Sequence, residues 1–234
     1  MPSTPKTAGS RTRTYGLAAI AALLTIVVTT LTHQVRNNTG LARLDPRIDD
    51  WIVAHRTEPL NALARAVTVL GDTLTLTVIT VLTCTWLLRR GHRGDAVLVG
   101  VTGAGAALLT FVGKRLIGRA RPPAVDRLAF EPSLSYPSGH SLGSMAVLGI
   151  VTVALLPRLH RTARRVTIVA AAICFVAAVG LSRVYLGVHW PTDVLAGWSI
   201  GALWVLMCVT AYGYARNRAE PNGTDPPSGA DQAP

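Results

Sequence analysis

Three short stretches, KRLIGRARP, PSGH and SRVYLGVHWPTD, place strong cations, two imidazoles and a carboxylate in a chain that is otherwise apolar. Lys114, Arg121 and Arg183 supply fixed positive charge of the kind that suits phosphate oxygens. Ser138 is a good helix N-cap, and Gly139 after it lets the backbone approach a ligand closely. The free N–H groups of a helix start form an anion site. His189 and Asp193 are four apart, so on a helical turn they share a face and can touch. Pro191 between them is tolerated there, because first-turn N–H groups lack helical partners anyway. A carboxylate bound to one ring nitrogen fixes the tautomer and leaves the other nitrogen free to attack. His140 is a second imidazole, able to protonate a leaving oxygen. No acidic cluster suits Mg²⁺ or Ca²⁺, so neutralisation falls to side chains, and neither metal nor cofactor is expected.

These groups need elements to hold them, and the composition points to a membrane. Half of the 234 residues are hydrophobic and 15% are charged, where a soluble domain carries about 25%. Six apolar runs approach the length of about 20 residues that a span requires. They cover Tyr15–Leu31, Asp72–Leu88, Ala96–Val112, Ser141–Leu156, Val166–Leu181 and Val194–Tyr214. The expected fold is an all-α integral membrane protein, six transmembrane helices in a bundle. The first run follows Lys6, Arg11 and Arg13 without an A-x-A-like site after it, and reads as a retained helix. Asp72 reads as the N-cap of the second span. The stretch from about 45 to 70 mixes Ile48, Trp51, Ile52 and Val53 with charges, as in an interfacial helix, and Pro59 should interrupt or restart it.

A formal charge of +11 raises the question of nucleic acid, but the basic residues sit in short clusters between apolar runs. That pattern reports topology, and nucleic acid is not expected as a partner. RRGHRG and PRLHRTARR are short and dense, as cytoplasmic loops are. Residues 1–14 are therefore assigned to the cytoplasm, 15–218 to the membrane domain and 219–234 to a disordered tail rich in Pro and Gly, with both termini inside. Cys84, Cys174 and Cys208 lack metal-ligand spacing and read as small buried hydrophobes.

Each polar stretch also has an ordinary reading. Basic residues snorkel to headgroups, Ser138 caps a helix, and Asp193 complements a helix dipole. Six spans change the weighing. The end of span three, the start of four, the end of five and the start of six then face one surface, so all three stretches converge outside the cytoplasm. Ionisable groups gathered at that depth point to a functional site.

In order and spacing the stretches resemble the three-part signature of the type 2 phosphatidic acid phosphatase superfamily. Its pattern is Lys, six residues, Arg-Pro; then Pro-Ser-Gly-His; then Ser-Arg, five residues, His, three residues, Asp, and every fixed letter is present. The resemblance implies that His189 is a nucleophile forming a phosphohistidine and that Asp193 orients it. His140 would be the acid for the leaving group and then the base for water. Lys114, Arg121, Ser138, Gly139 and Arg183 would bind the phosphate. The implied function is a metal-independent phosphatase acting on a lipid or polyprenyl phosphate or diphosphate at the outer face of the cell membrane, without cofactor. Alternatives are a lipid phosphotransferase, a phosphate-binding transporter, or a relative of the vanadium haloperoxidases; the short Pro123–Tyr136 loop argues against the last. Arg115, Arg119 and Arg127 are surplus to the signature and suit either a diphosphate headgroup or headgroup anchoring. Phosphatidate, phosphatidylglycerol phosphate and polyprenyl diphosphate share the same terminal phosphate. The oligomeric state is open, since Gly139-x-x-x-Gly143 and Gly197-x-x-x-Gly201 could pack helices within one subunit or between two.

Overall fold

The computed structural model of the chain describes residues 8–219. The expectations for residues 1–7 and for the tail from 220 onward lie outside them. The described residues form eight α-helices: α1 (Ala8–Asn37), α2 (Asp45–Ala54), α3 (Glu58–Val69), α4 (Thr73–Arg89), α5 (Arg93–Ile117), α6 (Gly139–Leu155), α7 (Thr162–Tyr185) and α8 (Pro191–Ala219). Local chemistry sets several boundaries. Ser138 caps α6 with its hydroxyl, and Pro191 opens α8. Gly118 ends α5 at φ +67°, a left-handed conformation that glycine adopts without penalty. Pro59 stands in the first turn of α3, restarting the helix that stopped at Ala54.

Five segments, Thr14–Asn37, Arg93–Ile117, Gly139–Arg158, Thr162–Tyr185 and Pro191–Arg218, are long and apolar enough to cross a membrane. They overrun the apolar runs because the flanking polar residues continue the helix. The second expected span, α4, has 17 residues, at the short end of the range for a span. With α3 it forms a longer apolar pair, bent by 43°, that counts as a sixth candidate span. The bend falls at Leu70–Asp72, where backbone bonding passes from α3 into a turn before α4 begins.

Helix α6 lies at the centre, packed by α4, α5, α7 and α8. Over its most apolar stretch 39% of residues are buried inside the protein, against 6% for α1, which shows most of its surface outward. Outward-facing Ile20, Leu23 and Ile26 suit lipid, which is as apolar as they are. Small residues set how closely the helices approach. A Cβ on Gly197 would lie 2.8 Å from Ser138 O, and one on Gly201 2.8 Å from Leu142 O, so α8 rides directly on the α6 backbone. Gly139 faces Thr110 of α5 and Gly143 faces Leu76 of α4. Both small-residue pairs thus serve contacts within the chain. Cys174 departs from expectation. It is exposed on α7, whereas Cys84 is half-buried and Cys208 buried.

At one end of the bundle the core is apolar, with Leu87, Val99, Ile150 and Ala154 packed together. At the other, the end of α5, the start of α6, the end of α7 and the start of α8 come together around buried polar side chains.

Candidate active site

His189 lies in the link between α7 and α8, where the chain must reverse within five residues, 186–190. Gly187 makes this possible at φ +69°, and there is no room for a larger residue. A Cβ at Gly187 would sit 2.8 Å from both the Arg56 guanidinium and Asp126 O. The His189 amide donates to Arg183 O at 3.3 Å, tying the link to the end of α7. The imidazole is almost wholly enclosed. Its Nδ1 lies 3.4 Å from Asp193 Oδ2, and its Nε2 lies 3.1 Å from Arg121 Nη1. A guanidinium only donates, so Nε2 must be the acceptor and the ring proton belongs on Nδ1, beside the carboxylate. Burial, reinforced by Arg121 and Arg183 and opposed by Asp193, pushes the His189 imidazolium down to about 3. The ring is therefore neutral near pH 7, with its Nε2 unprotonated and its lone pair turned to Arg121.

The three expected cations converge on one stretch of the loop between α5 and α6. Lys114 Nζ donates to Ser133 Oγ (2.8 Å) and Leu134 O (2.7 Å). Arg121 Nε donates to Ser133 O at 2.6 Å, and its Nη1 also donates to Val188 O. Arg183 donates to Thr68 Oγ1 at 2.7 Å and pairs with Glu131, which also lies 3.6 Å from Arg121. Burial and the neighbouring Arg183 push Arg121 down to about 10, so it remains cationic at pH 7 despite its enclosure.

Asp193 has partners besides His189. Its Oδ2 accepts from the Trp190 amide at 3.0 Å, as the acidic residue of a capping box does, and from Ser135 Oγ. Its Oδ1 accepts from Arg119 Nη1 at 2.6 Å. The other arm of Arg119 pairs with buried Asp45 at 2.6 Å, and Asp45 caps the start of α8 through the Thr192 amide at 3.1 Å. A chain Asp45–Arg119–Asp193–His189 thus locks α2 to the first turn of α8. Burial pushes the Asp45 carboxyl up, against the pull of Thr192 and Arg119. Both readings offered for Arg119, headgroup recognition and anchoring, are overturned, because its two ends are engaged by carboxylates. Arg127 likewise folds back onto Pro122 O at 2.6 Å, while Arg115 lies over the Phe111 ring at 4.3 Å. Replacing Arg119 by methionine is expected to destabilise the fold by about 3–5 kcal/mol, since it leaves two buried carboxylates unpaired. Thermal unfolding in detergent checks this, and a midpoint equal to wild type would refute it.

His140, in the first turn of α6, places Nε2 2.7 Å from Asp72 Oδ1. Asp72 does occupy the N-cap position of α4 with extended backbone, but its side chain makes no cap bond. The expected cap is replaced by a contact to the histidine. Ser138 is enclosed, and its hydroxyl accepts from the Ser141 amide at 3.4 Å and from Ser141 Oγ at 3.0 Å.

A cavity of about 630 Å³ opens beside these groups. Lys114, Arg121, Gly139, His140 and His189 line its polar end, with Glu131 and Ser133. It continues between α4 and α5 past Thr77, Thr80, Gly103 and Ala107, a wall of small side chains. Ser138, Arg183 and Asp193 stand behind that lining. Asp45, Glu131 and Ser135 lie outside the motif stretches, and along the sequence Asp72 reads only as a cap. Two signals were present: a carboxylate just ahead of the second span, and an arginine in excess of the motif.

A sequence profile of the PAP2 superfamily matches residues 95–217, which include all three motif stretches. The chain is 35% identical over 162 residues to phosphatidylglycerophosphatase B of Bacillus subtilis, covering 68% of this chain and 78% of that protein. It is 33% identical over 189 residues to a lipid A 1-phosphatase of Rhizobium etli, covering 70% and 75% respectively. The crystal structure of a transmembrane PAP2-type phosphatidylglycerolphosphate phosphatase from Bacillus subtilis superposes with a TM-score of 0.76 at 28% identity. That match covers 84% of this chain and 96% of the other.

Proposed function

The chain belongs to the PAP2 superfamily of membrane lipid phosphatases, and from that membership we propose that it hydrolyses the terminal phosphate of a lipid or polyprenyl phosphate or diphosphate through a phosphohistidine, without a metal ion, at the extracytoplasmic surface. The observation that carries this reading is His189, which lines a cavity with Lys114, Arg121 and His140 while its Nδ1 faces Asp193.

In the first step Nε2 of His189 forms a bond to phosphorus as the bond from phosphorus to the lipid oxygen breaks. Lys114, Arg121, Arg183 and the free N–H groups at the start of α6 hold the non-bridging oxygens as charge shifts among them. The leaving oxygen takes a proton from His140. Nε2–H faces the Asp72 carboxylate, so the proton comes from Nδ1 and His140 must enter this step as the imidazolium and leave it neutral. In the second step water gives its proton back to His140 and attacks phosphorus, the N–P bond breaks, and inorganic phosphate leaves.

The apolar continuation of the cavity between α4 and α5 supports a lipid as the substrate, because a chain could lie there with its phosphate at the polar end. The two relatives, named a phosphatidylglycerophosphatase and a lipid A 1-phosphatase, support a lipid phosphate as the substrate class. The outward orientation rests on the dense basic loops at the far end of the bundle, 89–93 and 158–165.

Phosphate release from a panel of lipid phosphates is expected to survive EDTA and to be blocked by vanadate, an anion that takes the phosphate site. Activity lost on chelation and restored by Mg²⁺ would sink the metal-independent mechanism.

A further inference from the structure

The cations meant for phosphate are already facing an anion. Arg183 pairs with Glu131, and Arg121 lies 3.6 Å from the same carboxylate. Glu131 borders the cavity beside His189 and Lys114. Burial pushes its carboxyl up, but Arg183 and Arg121 hold it below the ordinary carboxylate range, so it is ionised at pH 7. Its side chain is 22% exposed, against 2% for Arg183, which leaves the carboxylate a way out that the guanidinium lacks. The loop backbone is pinned on both sides of it: the Leu128 amide donates to Leu186 O at 2.9 Å and the Ser135 amide to Arg119 O at 2.9 Å. The side chain can therefore swing without the loop unfolding. Arg183 Nε is buried with no hydrogen-bond partner, so this arginine has a donor that Glu131 does not use.

We propose that Glu131 is a built-in competitor for Arg121 and Arg183 that sets the affinity an anion must have to enter the site, a threshold that a dianionic phosphomonoester passes and the monoanionic phosphodiester of an ordinary membrane lipid does not. The proposal rests on the phosphate site assigned above. Two anions cannot share the pair of arginines, so binding exchanges one for the other. Exchanging a carboxylate for a phosphodiester brings no additional negative charge to three cations. Exchanging it for a phosphomonoester brings up to one, because its second ionisation lies near pH 6 and its charge at pH 7 is about −1.5 to −2. An enzyme open to the bilayer meets phosphodiesters on every side, so this exchange keeps the site from filling with the solvent lipid. Every anion still loses apparent affinity by the fraction of time in which Glu131 is away.

The test uses the purified full chain in detergent micelles with dioleoyl phosphatidate as substrate and dioleoyl phosphatidylglycerol as the phosphodiester. In Glu131→Gln, the Ki of the phosphodiester, the Ki of vanadate and the KM for phosphatidate are expected to fall together, by about tenfold, since the cost of moving Glu131 is common to all three. Glu131→Ala is expected to lower all three in the same direction. Constants that stay unchanged in both variants overturn the proposal, as does a higher phosphatidate KM, the sign that Glu131 merely positions Arg183. Arg183→Ala separates the two levels of inference. If it weakens vanadate while Glu131→Gln leaves the three constants unchanged, only the role of Glu131 fails. If it leaves vanadate untouched, the phosphate site is misassigned and both readings fall.

Discussion

Replacing His189 by alanine is expected to lower lipid phosphate turnover by at least about 10⁴-fold. No neighbouring group can take over the attack. His140 is the other imidazole of the cavity, but its Nε2 is held 2.7 Å from Asp72 on the opposite helix pair. The substitution leaves Lys114, Arg121 and Arg183 in place, so vanadate binding should persist while chemistry stops. Two measurements check this: phosphate release from micellar phosphatidate, and acid-labile label on the protein after brief exposure to phosphate-labelled lipid. Wild-type enzyme should carry the label and His189→Ala should not. Turnover within tenfold of wild type, or label retained by the variant, would sink the phosphohistidine mechanism.

Asp193→Asn should lower kcat by roughly 10³- to 10⁴-fold with a far smaller change in KM. The reason lies in the four donors around one carboxylate. Oδ1 accepts from Arg119, while Oδ2 accepts from Trp190 N and Ser135 and faces His189 Nδ1. A carboxamide has one oxygen for these two sides. If its NH₂ turns toward His189, Nδ1 must accept a hydrogen bond and the ring proton moves to Nε2, the atom that has to attack. If the NH₂ turns toward Arg119, two donors face each other and the link to Asp45 weakens. Steady-state kinetics on micellar substrate, with a thermal unfolding curve to confirm folding, decides it. A variant retaining kcat within threefold of wild type would remove Asp193 from the mechanism.

The spans were readable because a bilayer demands long apolar helices, and that demand is written residue by residue. The second span shows the limit of such reading. Its apolar run ends where Leu70–Asp72 turn, and whether the preceding helix extends or leaves it depends on an angle that hydropathy does not contain. The glycine pairs show the same limit. Their spacing signals close packing, but only the assembled bundle sends Gly197 and Gly201 onto α6. In the same way, only the packed bundle shows that Cys174 is exposed rather than a core residue.

The sequence by itself determined which side chains are candidates for the chemistry. Lys114, Arg121, His140, Arg183, His189 and Asp193 stand out because the proposed phosphoryl transfer needs fixed charge, a nucleophile and an acid, and those types stand at helix ends in a chain with few other charges. Only the tertiary structure decided which partners those side chains have. Asp72 reaches His140 across 68 positions of sequence, and Arg119 reaches Asp45 across 74. Glu131 reaches Arg183 across 52. A cap, an anchor and a loop acid look alike along the chain, since each is a polar side chain beside a helix end. What separates them is enclosure. A charge withdrawn from water must meet its counter-charge there, and the only candidates are those the fold brings to the same end of the bundle.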